Sequence, residues 1–157
     1  NIDPTAEQIA EMTFLAARTV RRFGMAPKAA LLSHSSFGTA NSDTARKMRK
    51  AMAILRAANP DFELDGEMHA DAALSEALRG RLVSSSPLTG SANLMVMPTL
   101  DAANIALTLL SAATEALLVG PLLLGVSKPI HVMVPSVTAR GIVNMTALSV
   151  AQAASPK

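Results

Sequence analysis

Four polar side chains bracket one short apolar run in this chain. Asn93 precedes Leu94-Met95-Val96-Met97, Pro98 ends the run, and Thr99, Asp101 and Asn104 follow where a helix must begin. The run is long enough for one buried strand, and Thr99 or Asp101 can cap the apolar helix that continues from Ile105. A buried strand feeding a helix through a polar turn is the unit of a parallel α/β sheet. Ligands of such sheets collect at the carboxyl end of the strand, beside the helix N-terminus. The chemistry on offer there is hydrogen bonding to an anionic or polar ligand.

Three further groupings have to be weighed. Asp65, Glu67, His69 and Asp71 alternate, so in a strand they share one face. Such a set can hold a divalent cation, or it is an acidic strand end that forms hydrogen bonds and meets water. His34-Ser35-Ser36 and Gly38-Thr39 lie between a predicted strand and a predicted helix, where free backbone N–H groups receive phosphate. Ser36, Gly38 and Thr39 are the candidates, although the loop lacks the Lys of a P-loop and a dinucleotide fingerprint, and an ordinary polar loop reads equally well. Lys128, Ser136 and Arg140 supply a hydroxyl and two cations near the last predicted strand and helix, either cation able to pair a phosphate. The cationic run from Arg46 to Lys50 can also meet phosphates, or it is a solvated helix face or part of a subunit contact. Ser, His and Asp all occur, but no nucleophile-elbow motif joins them. From the residues alone the chain has a plausible anion site and no catalytic constellation.

These residues need a scaffold, and 157 residues suffice for one domain with a sizeable core. Half the residues are hydrophobic and 17% are charged, which excludes a disordered chain. Aromatics are 3%, with no Trp or Tyr, so Ala, Leu, Val, Ile and Met build the core and the usual stacking platform for single-stranded nucleic acid is removed. A net charge of +2 does not make an electrostatic DNA binder. The absence of Cys removes disulfides, thiolate metal sites and a cysteine nucleophile. No apolar run reaches the roughly 18 residues of a membrane span. The opening Asn1-Ile2-Asp3-Pro4 is neither an initiator Met nor a signal peptide and reads as a piece cut from something longer. A cytoplasmic origin is expected.

Thr5 with Gln8 predicts a capping box for a first helix whose apolar positions are Ile9, Met12, Ala16, Val20 and Phe23, ending at Gly24. Ala29–Ser33 is a predicted strand. Ser42 or Asp43 caps a second helix with the stripe Ala45, Met48, Met52 and Leu55. Phe62–Met68 is a strand, Asp71–Leu78 a short helix, and Gly80–Ser91 a turn-rich stretch. The helix after Asp101 runs to about Glu115 and is apolar nearly all round, which predicts burial on several sides. Ile130–Val134 is a strand, and Ser136 or Thr138 starts a last helix along Ile142, Met145 and Leu148, with a frayed tail from Ala153. The fold class is therefore α/β, a mostly parallel sheet flanked by helices.

From about Ala29 to Ala153 the chain resembles the phosphotransacetylase family. The match rests on Phe62-Glu63-Leu64-Asp65-Gly66-Glu67 with Asp71-Ala72-Ala73, on Gly90-Ser91-Ala92-Asn93, and on Pro98-Thr99-Leu100-Asp101-Ala102-Ala103-Asn104-Ile105. Gly120-Pro121-Leu122-Leu123-Leu124-Gly125, Lys128-Pro129 and Ile142-Val143-Asn144 extend it. The resemblance implies two α/β lobes with a cleft between them, dimers, and interconversion of acetyl-CoA and phosphate with acetyl phosphate and CoA. It covers roughly the C-terminal half of that fold, with 1–135 in one lobe and 136–157 as a helix that would return to the missing lobe. Deprived of that lobe, Ile142, Met145 and Leu148 are expected to meet a second copy, to swap or to be disordered.

The departures point to a narrower reading. Active members carry a Ser-Arg pair after the Lys-Pro strand and an Asp several residues on. An ungapped match puts Val134 and Pro135 at the pair and Gly141 at the Asp. None supplies a hydroxyl, a guanidinium or a carboxylate, so the resemblance implies an inactive member. The wording from Val134 to Leu148 is similar to the C-terminal region of large bacterial NADP-type malic enzymes, in which acetyl-CoA binding inhibits malate decarboxylation by other domains. That implies acetyl-CoA as effector, a homodimer or higher homo-oligomer, no bound metal in this chain, and NADP and a divalent metal held elsewhere. Two alternatives stand beside it: an active phosphate acetyltransferase using Ser136 and Arg140, and a purely structural dimerisation piece.

Overall fold

The computed structural model describes residues 1–114, 116, 118–135 and 137–154. The chain divides into two compact units, Asn1–Leu107 and Thr108–Lys157. The first is built on a three-stranded parallel sheet in the order β2-β1-β3, with β1 at Lys28–Leu32, β2 at Glu63–Met68 and β3 at Leu94–Val96. Helices α1 (Ala6–Arg22) and α2 (Asp43–Ala57) precede β1 and β2 in the chain, and α3 (Ala70–Leu74), α4 (Glu76–Leu82) and α5 (Leu100–Thr114) follow.

Local chemistry explains the helix starts. Thr5 Oγ1 accepts from the Gln8 N–H while Gln8 Oε1 accepts from the Thr5 N–H, which closes the expected capping box. Ser42 caps α2 through the Ala45 N–H, and Ser75 both ends α3 and caps α4. The single helix expected over 71–78 is thus two, the second running through Gly80. Thr99 Oγ1 accepts from the Ala102 N–H at the start of α5.

Strand alternation sorts the core into two layers. Ala29, Leu31 and Leu64 face α1 and α2, where Ile9, Ala10, Met48, Ala51, Met52 and Leu55 pack. Ala30, Leu32 and Met68 face the opposite layer with Ala72, Ala73, Leu88 and Ala92. The stripe expected on α2 is buried as read, whereas on α1 the buried positions are Ala6, Ile9, Ala10, Thr13 and Ala17, and Phe23 is half exposed.

Arg79 fastens the second layer. It is fully buried, and its guanidinium donates to the carbonyls of Ala72, Leu88 and Gly90, each at 2.8 Å, and to Ser86 Oγ at 3.1 Å. A buried cation is tolerable only with its donors satisfied in this way.

In the second unit, α6 spans Ala139–Ala154 and buries Met145. Thr138 Oγ1 accepts from the Gly141 N–H at its start. His131 holds the unit together, with Nδ1 accepting from the Leu123 N–H and Nε2 bonded to Gln152 Oε1 at 3.0 Å. Residues 118–135 contain no helix or strand, so the strand expected at Ile130–Val134 does not form; its apolar residues are exposed, and a strand needs a neighbour to pair with. Helix α5 also departs from expectation, since none of its described residues is buried and Ile105 and Leu109 are 66% and 67% exposed. Ile142 on α6 is exposed as well. Among the described residues no helix is long and apolar enough to cross a membrane.

Two glycines separate steric from conformational demand. Gly24 has φ +75° with open space around it, while a β-carbon at Gly66 (φ +135°) would lie 2.7 Å from the Leu31 carbonyl oxygen. Gly24→Ala should cost about 1 kcal/mol and Gly66→Ala at least about 3 kcal/mol. Urea unfolding of both variants checks the order; equal losses would contradict the close approach at Leu31.

Candidate functional site

Parallel strands in the order β2-β1-β3 bring three carboxyl ends together: Ser33–Thr39 after β1, His69 and Asp71 after β2, and Met97–Thr99 after β3. This is where a ligand of an α/β sheet collects. The loop after β1 is already filled from within. Glu67 Oε1 accepts from Ser35 Oγ at 2.7 Å, from the Gly38 N–H at 2.9 Å and from Arg49 Nη1 at 3.2 Å.

The rest of the loop closes around that carboxylate. The Ser36 N–H reaches Thr39 Oγ1, the Phe37 N–H the Glu67 carbonyl, the Thr39 N–H the Ser36 carbonyl, and the Ala40 N–H Ser35 Oγ. Ser36 Oγ accepts from the His69 N–H. The phosphate cradle read from Ser36, Gly38 and Thr39 therefore has its backbone donors committed, those of Ser36 and Thr39 within the loop and that of Gly38 to Glu67. The anion it holds is the side chain of Glu67.

Glu67 reaches the loop because β2 is irregular there. The register passes from Leu31 opposite Gly66 to Leu32 opposite Met68, leaving Glu67 as the extra residue of a bulge. A bulge re-aims the side chain it carries. Asp65, two residues earlier, goes elsewhere: it accepts from Arg56 Nη2 at 2.9 Å and from Ser86 Oγ at 2.6 Å. The acidic run thus separates into two arginine pairs. The His69 ring bonds the His34 carbonyl, and Asp71 accepts from the Ala72 N–H. The cations of α2 are likewise matched: Arg46 with Asp43, Lys47 with Asp3, Arg49 with Glu67, Lys50 with Glu7 and Arg56 with Asp65.

The remaining candidates divide by position. Asn93 sits at the opposite, amino end of the sheet; Oδ1 accepts from the Lys28 N–H and Nδ2 donates to the Ala26 carbonyl, so it fixes the entry of β1 and β3. Thr99 is the cap of α5, and Asp101 and Asn104 are exposed on its first turns at the carboxyl end of β3. Lys128 and Arg140 are exposed in the second unit, as are Val134 and Pro135, and Ser136 lies outside the described residues. Sequence reasoning missed the Ser35–Glu67–Arg49 cluster. Its trace was the seven-residue spacing of Arg49 and Arg56, which puts both on one face of α2, opposite acids two residues apart.

Burial alone would raise the pKa of Glu67, but the Ser35 hydroxyl, the Gly38 and Glu67 N–H groups and Arg49 together hold it below the usual value. Its contribution to stability is complete above the ordinary glutamate pKa of about 4.3 and fades as pH falls through the lower folded value. Glu67→Gln should remove about 2–3 kcal/mol at pH 7. In urea titrations the gap from the parent chain should narrow below about pH 4; a constant gap from pH 7 down to pH 3 would contradict the paired carboxylate.

Residues 1–150 match the family model described as phosphate acetyl/butaryl transferase. The chain is 52% identical over 99% of its length to an NAD-dependent malic enzyme of Rhizobium meliloti (strain 1021). It is 53% identical over 98% to an NADP-dependent malic enzyme of Salmonella typhimurium. It spans 20% of the length of each. The solved phosphotransacetylase of Streptococcus pyogenes superposes with a TM-score of 0.92 at 34% identity, over 98% of this chain and 46% of that one. The parallel sheet, its flanking helices and these matches agree: the chain belongs to the phosphate acetyl/butaryl transferase family.

Proposed function

We propose that the chain is the phosphotransacetylase-like region of a longer malic enzyme, where it binds acetyl-CoA as an effector, helps the protein self-associate and performs no catalysis of its own. The observation that carries this reading is identity above 50% over nearly the whole chain to malic enzymes of which it spans one fifth. The family's reacting positions support it. Val134 and Pro135 stand where the resemblance puts a Ser-Arg pair, and Gly141 stands where it puts an Asp. A β-carbon at Gly141 would lie 2.8 Å from Val137 Cγ2 and 3.4 Å from Thr138 Oγ1, so a side chain at this position requires Val137 to shift.

Malate decarboxylation, the divalent cation and the nicotinamide belong, in this reading, to other parts of the longer protein. The relatives include both an NAD-dependent and an NADP-dependent enzyme, so nicotinamide choice does not track this region. The chain's own acidic run suits no cation, because Asp65 and Glu67 are held by Arg56 and Arg49. Self-association is supported by the exposed apolar surface of α5, since water-facing leucines and isoleucines in such number mark a covered surface.

In the full-length enzyme, acetyl-CoA should lower malate turnover and give a heat of binding, and no acetyl phosphate should form, even after Gly141→Asp. Unchanged malate turnover with no heat would overturn the effector role. Robust acetyl phosphate synthesis abolished by Arg140→Ala would replace it with an active transferase. Self-association without any thermal shift in acetyl-CoA would leave only the structural role, because a ligand of the native state must raise its apparent stability.

A further inference from the structure

Strand β2 ends the sheet, so among the described residues one of its edges has no strand beside it. An uncovered edge is a template for pairing with another chain. Across this one runs a line of side chains. Arg56, from the α2 layer, donates to Asp65 Oδ1 at 2.9 Å. Asp65 Oδ2 accepts from Ser86 Oγ at 2.6 Å, and Ser86 Oγ accepts from Arg79 Nε at 3.1 Å in the opposite layer. The two layers flank the sheet on its two faces, as the alternation of Ala29 and Leu31 against Ala30 and Leu32 requires. The line therefore joins one face of the sheet to the other at β2, its outermost strand.

The surface around it is hollow. One concavity of about 460 Å³ is lined by Arg56, Phe62, Glu63, Leu64 and Pro87, and another of about 400 Å³ by Phe37, Arg49, Arg56, Gly66 and Glu67. Arg56 borders both, so its half-exposed side chain is the partition between two openings along β2. The carboxylate beneath it is 2% exposed, the inward-pointing charge with which natural sheets protect an edge.

We propose that Arg56, Asp65, Ser86 and Arg79 form a clasp that keeps the outer edge of β2 from pairing with β2 of a second copy. A second copy is the committed occupant because removing the clasp uncovers the same edge on every chain, and like edges meet across a two-fold axis. The edge then offers few free charges of its own: Glu63 is held by Thr89 and Lys28, and Glu67 by Arg49.

Sedimentation velocity of the full chain over a hundredfold range of concentration tests this, together with amide hydrogen exchange. Arg56→Ala, and Arg56→Ala with Asp65→Asn to relieve the unpaired carboxylate, should associate beyond the state of the parent chain, at least doubling the average mass at high concentration. Amides of 62–68 should gain protection as they do so. Lys50→Ala, which breaks the exposed pair with Glu7, should behave as the parent. Should the arginine variants fail to fold, Ser86→Ala cuts a single link and should show a smaller rise of the same kind. Folded variants, Ser86→Ala included, that keep the parent mass at every concentration would overturn the clasp, as would association that leaves 62–68 unprotected.

Discussion

The first unit depends on what happens to two carboxylates on β2. Asp65 and Glu67 are almost wholly withdrawn from water, and a withdrawn charge is tolerable only when it is paired and fully hydrogen-bonded. Each receives an arginine from α2 and a serine hydroxyl from a loop: Arg56 and Ser86 for one, Arg49 and Ser35 for the other. The pairs do more than neutralise. One anchors α2 to the loop after β1, and the other joins α2 to the Arg79 layer across the sheet. Hydrophobic packing alone would let α2 slide on the sheet, since Met48, Met52 and Leu55 are adaptable surfaces. Two directional charge pairs two turns apart on the helix do not allow it.

The same withdrawal decides what the carboxyl-end loop can do. A Gly- and Ser-rich turn between a strand and a helix has the chemistry to accept an outside anion, and the sequence reads that way. The bulge at Glu67 changes the outcome by delivering an anion from the neighbouring strand. Once the Gly38 N–H and the Ser35 hydroxyl have that carboxylate, an incoming phosphate would have to displace a charge already neutralised by Arg49. The loop is thereby a structural joint, and its order carries over to His69 through Ser36.

What was legible in the sequence was whatever depends on near neighbours. The Thr5–Gln8 box, the Ser42 cap, the α2 stripe and the strand–turn–helix unit at Leu94 to Asp101 all rest on contacts within a few residues or on periodicity. Partner identity did not show, because Arg49 and Glu67 are eighteen residues apart and their meeting depends on the parallel register and its bulge. The burial of α5 was misread for a related reason. An apolar helix announces that something must cover it and does not say that the cover lies in the same chain. At 130–134, β-branched residues announced a strand, but a strand exists only with a partner edge.

These constraints narrow where the proposed effector could be held. Acetyl-CoA carries phosphates, and phosphates want cations or unspent N–H groups. In the first unit the loop donors are committed, and every cation of α2 has its own carboxylate. Among the described residues the exposed cations that form no ion pair are Arg18, Arg22 and Arg81 in the first unit and Lys128 and Arg140 in the second, the unit that also carries Val134, Pro135 and Gly141. Binding and catalysis make different demands there. Holding a phosphate needs only a cation within reach, whereas turning over an acyl group needs a hydroxyl, a guanidinium and a carboxylate in fixed relation. In the proposed reading Lys128 and Arg140 would serve the first, and Val134, Pro135 and Gly141 would leave the second without its groups. The proposed sensor role rests on that asymmetry.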